Sequence, residues 1–125
     1  MPSVGIDRYT GRVLTDLDHV RQSVSTLFST RLGARVMRRF YGFVGLALLG
    51  RANLTPTELL RFTAAIHLAI ELWEPRLDSL RVTYPDRDNG TDKARQGKVG
   101  MVMRARYYPH ALQGDRTSDV VDIDF

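Results

Sequence analysis

The sequence contains no cysteine, and this absence removes two kinds of site at once. Neither a disulfide framework nor a zinc site built on thiolates is available to the chain. Long apolar runs are absent as well: the stretch from Phe43 to Leu49 contains a glycine and is too short to cross a bilayer. The N-terminal segment lacks the apolar core of a signal peptide. We therefore expect a soluble chain that is neither exported nor inserted in a membrane.

Lysine is scarce and occurs only at positions 93 and 98, so arginine carries almost all the positive charge in a formal balance of +4. The planar guanidinium group suits carboxylates and aromatic faces as well as phosphate, which indicates specific interfaces at least as much as diffuse affinity for DNA. Four arginines cluster without an acid, and four aspartates crowd the C-terminus: Arg31, Arg35, Arg38 and Arg39; Asp115, Asp119, Asp122 and Asp124. Opposite charges at separate places suit docking between subunits, although a solvated surface is the simpler explanation of either cluster alone.

The strongest pattern is an amphipathic helix that begins after Thr55 and ends before Pro75. Thr55 can cap the first turn, Pro56 fits its first position, and Glu58 can reach back to the cap. Apolar residues then follow at steps of three and four and form one stripe: Leu59, Phe62, Ile66, Ala69, Ile70 and Trp73. Pro75 cannot continue the hydrogen-bond ladder and disfavours helical geometry at Glu74, so the helix should stop there.

This helix ends on the tripeptide Glu74, Pro75 and Arg76. A carboxylate at the negative end of a helix dipole is mildly unfavourable, whereas an arginine there is favourable. Glu74 should therefore have a partner outside its own helix. In an arbitrary protein, a solvated Glu and Arg beside a helix stop would be the commoner arrangement, by about three to one.

A second amphipathic pattern begins at Thr15 and should end near Thr30. Its apolar face comprises Leu17, Val20, Val24, Leu27 and Phe28. Residues 1–12, which precede it, should form an extended or loosely held arm. After it, residues 34–42 predict a short strand or extended segment, and residues 43–49 fit either a short helix or a buried strand.

Beyond Arg76 the apolar period changes from helical to alternating. A first strand has one face made of Leu80, Val82 and Tyr84. A charged loop over residues 86–98 separates it from a long antiparallel partner with an alternating face: Val99, Met101, Met103, Ala105 and Tyr107. These patterns predict a single α+β domain over residues 1–125, with two main amphipathic helices packed on a small, mainly antiparallel sheet.

The last segment, residues 120–125, predicts a strand in which Val121, Ile123 and Phe125 face one way. A strand at this position is a candidate sheet edge, and its backbone could pair with the sheet of a neighbouring subunit.

Two further kinds of function can be weighed from the residues. Aromatics interleaved with arginines in residues 34–42 could stack on bases, so a small arginine-rich nucleic-acid-binding module is the alternative function. No helix-turn-helix, zinc-finger or RNP-like spacing accompanies them, which argues against it. The three histidines, His19, His67 and His110, lack metal-ligand spacing and are expected at the surface or in ordinary hydrogen bonds. We expect no metal site and no cofactor.

Two pieces of the sequence resemble a known family. One is Glu74-Pro75-Arg76 after an apolar helix, and the other is the segment from Leu32 to Arg38 that precedes Tyr41 and Gly42. Over residues 5–110 the chain is similar to the lysozyme-like baseplate wedge family of contractile-tailed phages, also called baseplate assembly protein W, which has relatives in the type VI secretion baseplate. The sequence departs from that family at Arg39 and Phe40, where relatives often have proline or an acid, and in a longer loop over 86–98.

The resemblance implies a structural wedge subunit in the tail baseplate of the virion, made in the host cytoplasm and without catalytic activity. Its fold should be similar to part of the tail-sheath subunit, so that it templates the first sheath ring. The implied partners are other wedge proteins, the sheath subunit, and tube or hub proteins as further candidates, with neither membrane nor nucleic acid among them. Glu74, Pro75 and Arg76 would contact the helical bundle of the wedge core, and the strand with Val121, Ile123 and Phe125 would pair with sheath.

The family's lysozyme label raises the question of a glycosidase. Such an enzyme needs two carboxylates on either side of a cleft, at roughly 5 to 10 Å from each other. Glu71 and Glu74 share a helix face, but no pattern indicates a cleft or an apolar pocket around them. We therefore expect no catalytic residues.

Overall fold

A computed structural model of the chain describes residues 3–49, 56–84 and 101–124. The predicted cap at Thr55, the loop over 86–98, the start of the long strand at Val99 and the terminal Phe125 lie outside these residues.

The chain begins with a hairpin in which β1 (Val4–Ile6) pairs antiparallel with β2 (Val13–Thr15). The Gln22 side chain, from the helix that follows, holds this hairpin in two places. It accepts from the Arg8 amide at 3.1 Å and donates to the carbonyl that ends β1 at 2.9 Å. Residues 3–12 of the predicted extended or loosely held arm therefore form a hairpin that is hydrogen-bonded to the next helix.

Helix α1 (Asp16–Ser29) follows directly, within the predicted bounds. Its apolar face packs into the core, with Val20, Val24 and Leu27 buried and Leu17 and Phe28 partly buried. The amide of Thr30 closes the helix on the carbonyl of Leu27 at 3.2 Å. The predicted helix and its buried face are confirmed.

Residues 31–42, called the arginine loop below, form consecutive turns rather than the predicted strand. Amides of this loop donate three residues back along the chain, as the Arg38 amide does to the Arg35 carbonyl at 3.2 Å. Gly33 and Gly42 reverse the chain with φ of +85° and +150°, values that side chains rarely adopt. A short helix, α2 (Gly45–Leu49), then resolves the ambiguity of the next segment in favour of helix.

Helix α3 (Pro56–Trp73) runs to the residue at which the sequence predicts it to end. The predicted stripe is confirmed, since Phe62, Ile66, Ala69 and Ile70 are buried in the core shared with α1 and the sheet. The Glu74 amide still donates to the Ile70 carbonyl at 2.9 Å, and Pro75 then ends the ladder.

The main sheet has three antiparallel strands in the order β3 (Leu77–Thr83), β4 (Val102–Tyr107) and β5 (Asp119–Asp124). A 3-10 turn (Ala111–Gln113) lies between the last two. The alternation predicted for the long strand is confirmed, because its inward side chains are buried: Met101, Met103, Ala105 and Tyr107. The fold is α+β, as predicted.

One detail of β3 differs from prediction. The register of β3 against β4 shifts between Ser79 and Arg81, which makes Leu80 the extra residue of a β-bulge. Leu80 is consequently exposed, whereas Val82 and Tyr84 still pack against the core. A bulge moves the alternation by one residue, so a strictly alternating face could not hold across it.

Candidate functional site

The two charged residues at the end of α3 are buried and bonded to each other. Glu74 is 2% exposed and Arg76 is 7% exposed. Arg76 donates from Nε to Oε1 of Glu74 at 2.6 Å and from Nη2 to Oε2 at 2.9 Å, a two-pronged ion pair. The partner that the sequence requires for Glu74 is therefore Arg76, two residues along the chain.

Backbone hydrogen bonds hold the main chain on both sides of this pair. After Pro75 the chain turns, and the Leu77 amide donates to the Glu74 carbonyl at 3.2 Å. The Arg76 carbonyl accepts from the amide of Tyr108, just beyond β4, at 2.8 Å. Pro75, at the tip of the turn, is the exposed member of the tripeptide. The ion pair thus lies at a rigid junction between α3 and the sheet.

The remaining guanidinium nitrogen of Arg76 points to the N-terminal hairpin. Nη1 donates to Oγ of Ser3 at 2.6 Å and lies 3.1 Å from Nδ1 of His19 on α1. Because an arginine can only donate, Nδ1 of His19 is the acceptor and its ring is neutral in this arrangement. Burial lowers the pKa of His19, and the charge of Arg76 lowers that pKa further, against an opposing contribution from Glu74.

Tyr107 lies beside these groups and is 6% exposed. Its hydroxyl makes no hydrogen bond within the part of the chain that the structure describes. Burial raises the pKa of Tyr107, and the charge of Asp16 raises that pKa further. Asp16 has a φ of +51°, a left-handed value that is uncommon outside glycine. We call Ser3, His19, Glu74, Arg76 and Tyr107 the polar cluster.

Sequence reasoning missed Ser3 and Tyr107 as members of this cluster, and it treated His19 as an ordinary surface or hydrogen-bonded histidine. The histidine prediction is confirmed by the contact with Arg76. No local pattern could have found the cluster, since Ser3 lies 73 positions from Arg76 and His19 lies 57 positions from it.

Pro75 also borders an open groove on the outer side of the junction. The groove has a volume of about 390 Å³ and is lined by apolar groups together with one acid and one base: Pro75, Leu77, Asp78, Tyr108, Ala111, Gly114 and Arg116. It lies at the surface that another subunit would meet if it approached the exposed proline.

The predicted edge strand is β5, which is last in the sheet order, and no further strand pairs with its outer side within the described residues. Ile123 is buried and Val121 is partly buried, so their side chains pack inward, while Phe125 lies outside the described residues. On the outer face Arg104 of β4 donates to both oxygens of Asp122, at 2.9 and 3.3 Å, which lowers the pKa of that carboxyl group. The groups of this edge that could bind a neighbouring strand are therefore its backbone amides and carbonyls.

The arginine loop carries the other predicted interface. The guanidinium of Arg35 lies 4.5 Å from the centre of the Tyr41 ring, and that of Arg38 lies 5.9 Å from both Tyr41 and Trp73. Phe40 stacks on Trp73 with centroids 5.7 Å apart. These aromatic rings therefore contact the chain's own side chains, while Phe40 keeps most of its surface exposed.

Two kinds of feature are absent from the described ranges. Across residues 3–49, 56–84 and 101–124, no three histidine or acidic side chains gather in an arrangement that could hold a metal ion. In the same ranges, no helix combines the length and the apolar character needed to cross a bilayer.

Comparison with known proteins assigns the family. The model of the family described as baseplate wedge protein gp25 matches residues 15–108, which include α1, the arginine loop, α3 and the Glu-Pro-Arg junction. The chain belongs to the baseplate wedge protein gp25 family. The predicted resemblance is thereby confirmed, and this wedge protein is a structural component of the baseplate of a phage or pyocin-type contractile tail. Its partners are therefore other proteins of a baseplate.

Individual relatives agree with this assignment. Baseplate protein W of Escherichia phage P2 is 36% identical over 80 residues, which cover 64% of this wedge protein and 69% of that protein. A chain in the cryo-electron microscopy structure of the post-contraction baseplate of pyocin R2 superposes with a TM-score of 0.67 at 27% identity, covering 84% of this chain and 98% of that one. The crystal structure of a candidate tail lysozyme from Geobacter sulfurreducens gives a TM-score of 0.59 at 25% identity, covering 86% of each chain.

Proposed function

We propose that this wedge protein joins the helical bundle of the wedge core through the junction of Glu74, Pro75 and Arg76. The observation that supports it most is the buried ion pair, which holds an exposed proline in one fixed position. A two-pronged pair fixes both the distance and the plane of its groups, so Pro75 and the groove beside it form a preorganised surface. The charged groups orient this surface, and Pro75 meets the bundle.

The test has to separate binding from folding, because removing one charge leaves the other buried and unpaired. A double variant, Glu74→Leu with Arg76→Met, removes both charges and keeps similar volume. We expect it to fold, as judged by circular dichroism and urea unfolding, and to be absent from purified tails in mass spectrometry. The matched control removes an exposed pair on α1, Arg21→Gln with Asp18→Asn, and should be incorporated normally. Normal incorporation of the folded double variant would contradict the proposal.

At the sheet, we propose that β5 offers its outer edge to the first ring of the sheath and so templates sheath assembly. In an antiparallel pair, alternate residues direct their amide and carbonyl to the neighbouring strand, so the others in β5 direct theirs outward. Pairing through backbone groups suits a joint under mechanical force because many hydrogen bonds must break together. An exposed ion pair such as Arg104 with Asp122 contributes only about 0 to 1 kcal/mol.

A proline substitution removes the backbone N–H donor at one position. At a residue whose amide points outward, it leaves the hydrogen bonds between β4 and β5 intact. Of Val120 and Val121, one directs its amide to β4 and the other directs it outward. We therefore expect one of the variants Val120→Pro and Val121→Pro to be destabilised and the other to stay folded. The folded one should enter baseplates but leave them without sheath in electron micrographs. Sheathed tails at the wild-type frequency would contradict the role of the edge.

We also propose that the chain acts as a single structural domain without catalytic activity. Both carboxylate oxygens of Glu74 accept from Arg76, and Glu71 is exposed on the outer side of α3. The two carboxylates therefore do not flank a common cleft in the way that glycoside hydrolysis requires. A cell-wall clearing assay with the purified chain should show no activity, and a cleared zone would overturn this part of the proposal.

A further inference from the structure

We propose that the partner bundle supplies a neutral oxygen acceptor to Arg76 on assembly. In the free chain Ser3 occupies the place of that acceptor, and the bundle displaces Ser3 from Arg76. The inference rests on the proposed function of the junction and names the chemistry of the group that it receives. The contact in question is the 2.6 Å hydrogen bond from Nη1 of Arg76 to Oγ of Ser3.

Nη1 is the guanidinium nitrogen of Arg76 that a partner can bind. Nε and Nη2 are committed to the two oxygens of Glu74, whereas Nη1 reaches a hydroxyl and a ring nitrogen in the N-terminal part of the chain. Its acceptors therefore come from a different segment than the pair itself. An incoming oxygen could replace the Ser3 hydroxyl and leave the ion pair intact.

Ser3 can leave at low cost because it precedes the first strand. The strand β1 begins at Val4, so the hairpin pairing and the bonds from Gln22 do not depend on Ser3. Besides its hydroxyl contacts, Ser3 is held through its carbonyl, which accepts from the Asp16 amide at 3.2 Å. Asp16 has the left-handed φ described above, so that contact is made by a strained residue. This contact lies at the end of the β1–β2 pairing, and hydrogen bonds at the end of a paired strand open at less cost in free energy than those within it.

The charges of the polar cluster decide that the incoming group is neutral. Glu74 already balances Arg76, so a second buried carboxylate would be an uncompensated charge. A side-chain amide of asparagine or glutamine fits the groups present, because its oxygen can accept from Nη1 of Arg76. That oxygen has two lone pairs, whereas the single lone pair of Nδ1 of His19 already accepts from Nη1 in the free chain. The hydroxyl of Tyr107, unpaired among the described residues, is a second donor beside the same pair.

Competition during assembly tests the displacement. Wild-type chain and the variant Ser3→Ala are co-expressed in equal amounts with the other tail proteins, and mass spectrometry measures their ratio in purified tails. If Ser3 competes with the partner, removing its hydroxyl favours the variant by about threefold, which is the order of one weak hydrogen bond. A ratio of one or below would show that Ser3 is retained in the assembled state, and it would overturn the inference.

The matched control is Ser25→Ala, a substitution of an exposed serine on α1 outside the polar cluster, which should give a ratio of one. Folding of both variants is checked by urea unfolding before the competition. The double variant of Glu74 and Arg76 separates the proposed displacement of Ser3 from the proposed binding of the bundle. If it is excluded from tails while Ser3→Ala gains nothing, the junction binds the bundle and only the displacement fails. If it is incorporated like wild type, the proposed function fails as well.

Discussion

Arg76 binds both carboxylate oxygens of Glu74, at 2.6 and 2.9 Å, across a single exposed proline. In the sequence, Glu74 and Arg76 look like surface charges beside a helix stop. In the fold they form a buried ion pair. This arrangement changes what substitutions at the junction can report, because any loss of one partner acts first on stability and only then on assembly.

We expect Arg76→Met to lower the free energy of unfolding by about 3 to 5 kcal/mol, since it leaves the Glu74 carboxylate buried and unpaired. Glu74→Leu should lower the free energy of unfolding by a similar amount, because it leaves the Arg76 guanidinium buried and unpaired. The double variant that combines Glu74→Leu with Arg76→Met should cost less than the sum of the two single changes. Urea unfolding of the four chains in a double-mutant cycle measures this coupling. Additive effects would show that the pair contributes no mutual stabilisation.

The stability of the chain should depend on pH through His19. Its pKa in the folded chain lies below the ordinary histidine value of 6.5, so the unfolded chain binds the proton more readily. The stabilisation is therefore fully present above about pH 7 and is lost as the pH falls below that range through the folded pKa. Protonation also removes the acceptor that Arg76 uses at Nδ1.

Urea unfolding between about pH 8 and about pH 5 should show this decrease in the wild type. The variant His19→Gln keeps a neutral acceptor and should be less sensitive to pH over the same range. His110→Gln, a change outside the polar cluster, should retain the wild-type dependence. Equal slopes for His19→Gln and the wild type would contradict the assignment.

Gly42 should tolerate no side chain. A Cβ at this position would lie 2.8 Å from the backbone of Leu32, and the φ of +150° adds strain of about 1 to 3 kcal/mol. At Gly33, which has a φ of +85°, a Cβ meets nothing within 4 Å, so Gly33→Ala should cost only about 1 kcal/mol. Thermal unfolding of both variants measures the difference. A smaller loss for Gly42→Ala than for Gly33→Ala would contradict the close approach of the two backbones.

Tyr107→Phe should leave the stability unchanged or raise it slightly, because the hydroxyl that it removes is buried without a partner in the described residues. Tyr84→Phe is the matched control. The Tyr84 hydroxyl lies 2.7 Å from Oγ1 of Thr63, so its removal should cost about 0.5 to 1.5 kcal/mol. Chemical unfolding of the two phenylalanine variants decides the order, and a larger loss at Tyr107 would reveal a hydrogen bond to its hydroxyl.

Prediction from sequence succeeded where the determinants are close along the chain. The end of α3 followed from Pro75, and the inward side chains of β4 followed from strict alternation. Prediction failed at the hairpin, where β1 and β2 have only three residues each and show too little alternation to be recognised. It also failed at Leu80, because a bulge arises from how one strand fits its neighbour.

The sequence by itself determined the two long helices, the three strands of the main sheet and the family, because these depend on periodicity, on proline and on short motifs. Only the tertiary structure decided that Glu74 and Arg76 are buried and that Ser3 and His19 complete their hydrogen bonds. Hydrophobic packing of α1 and α3 on the sheet brings residues distant in sequence to one point. Once water is excluded there, the guanidinium nitrogen of Arg76 that Glu74 does not bind has to be matched by groups that no local pattern reveals.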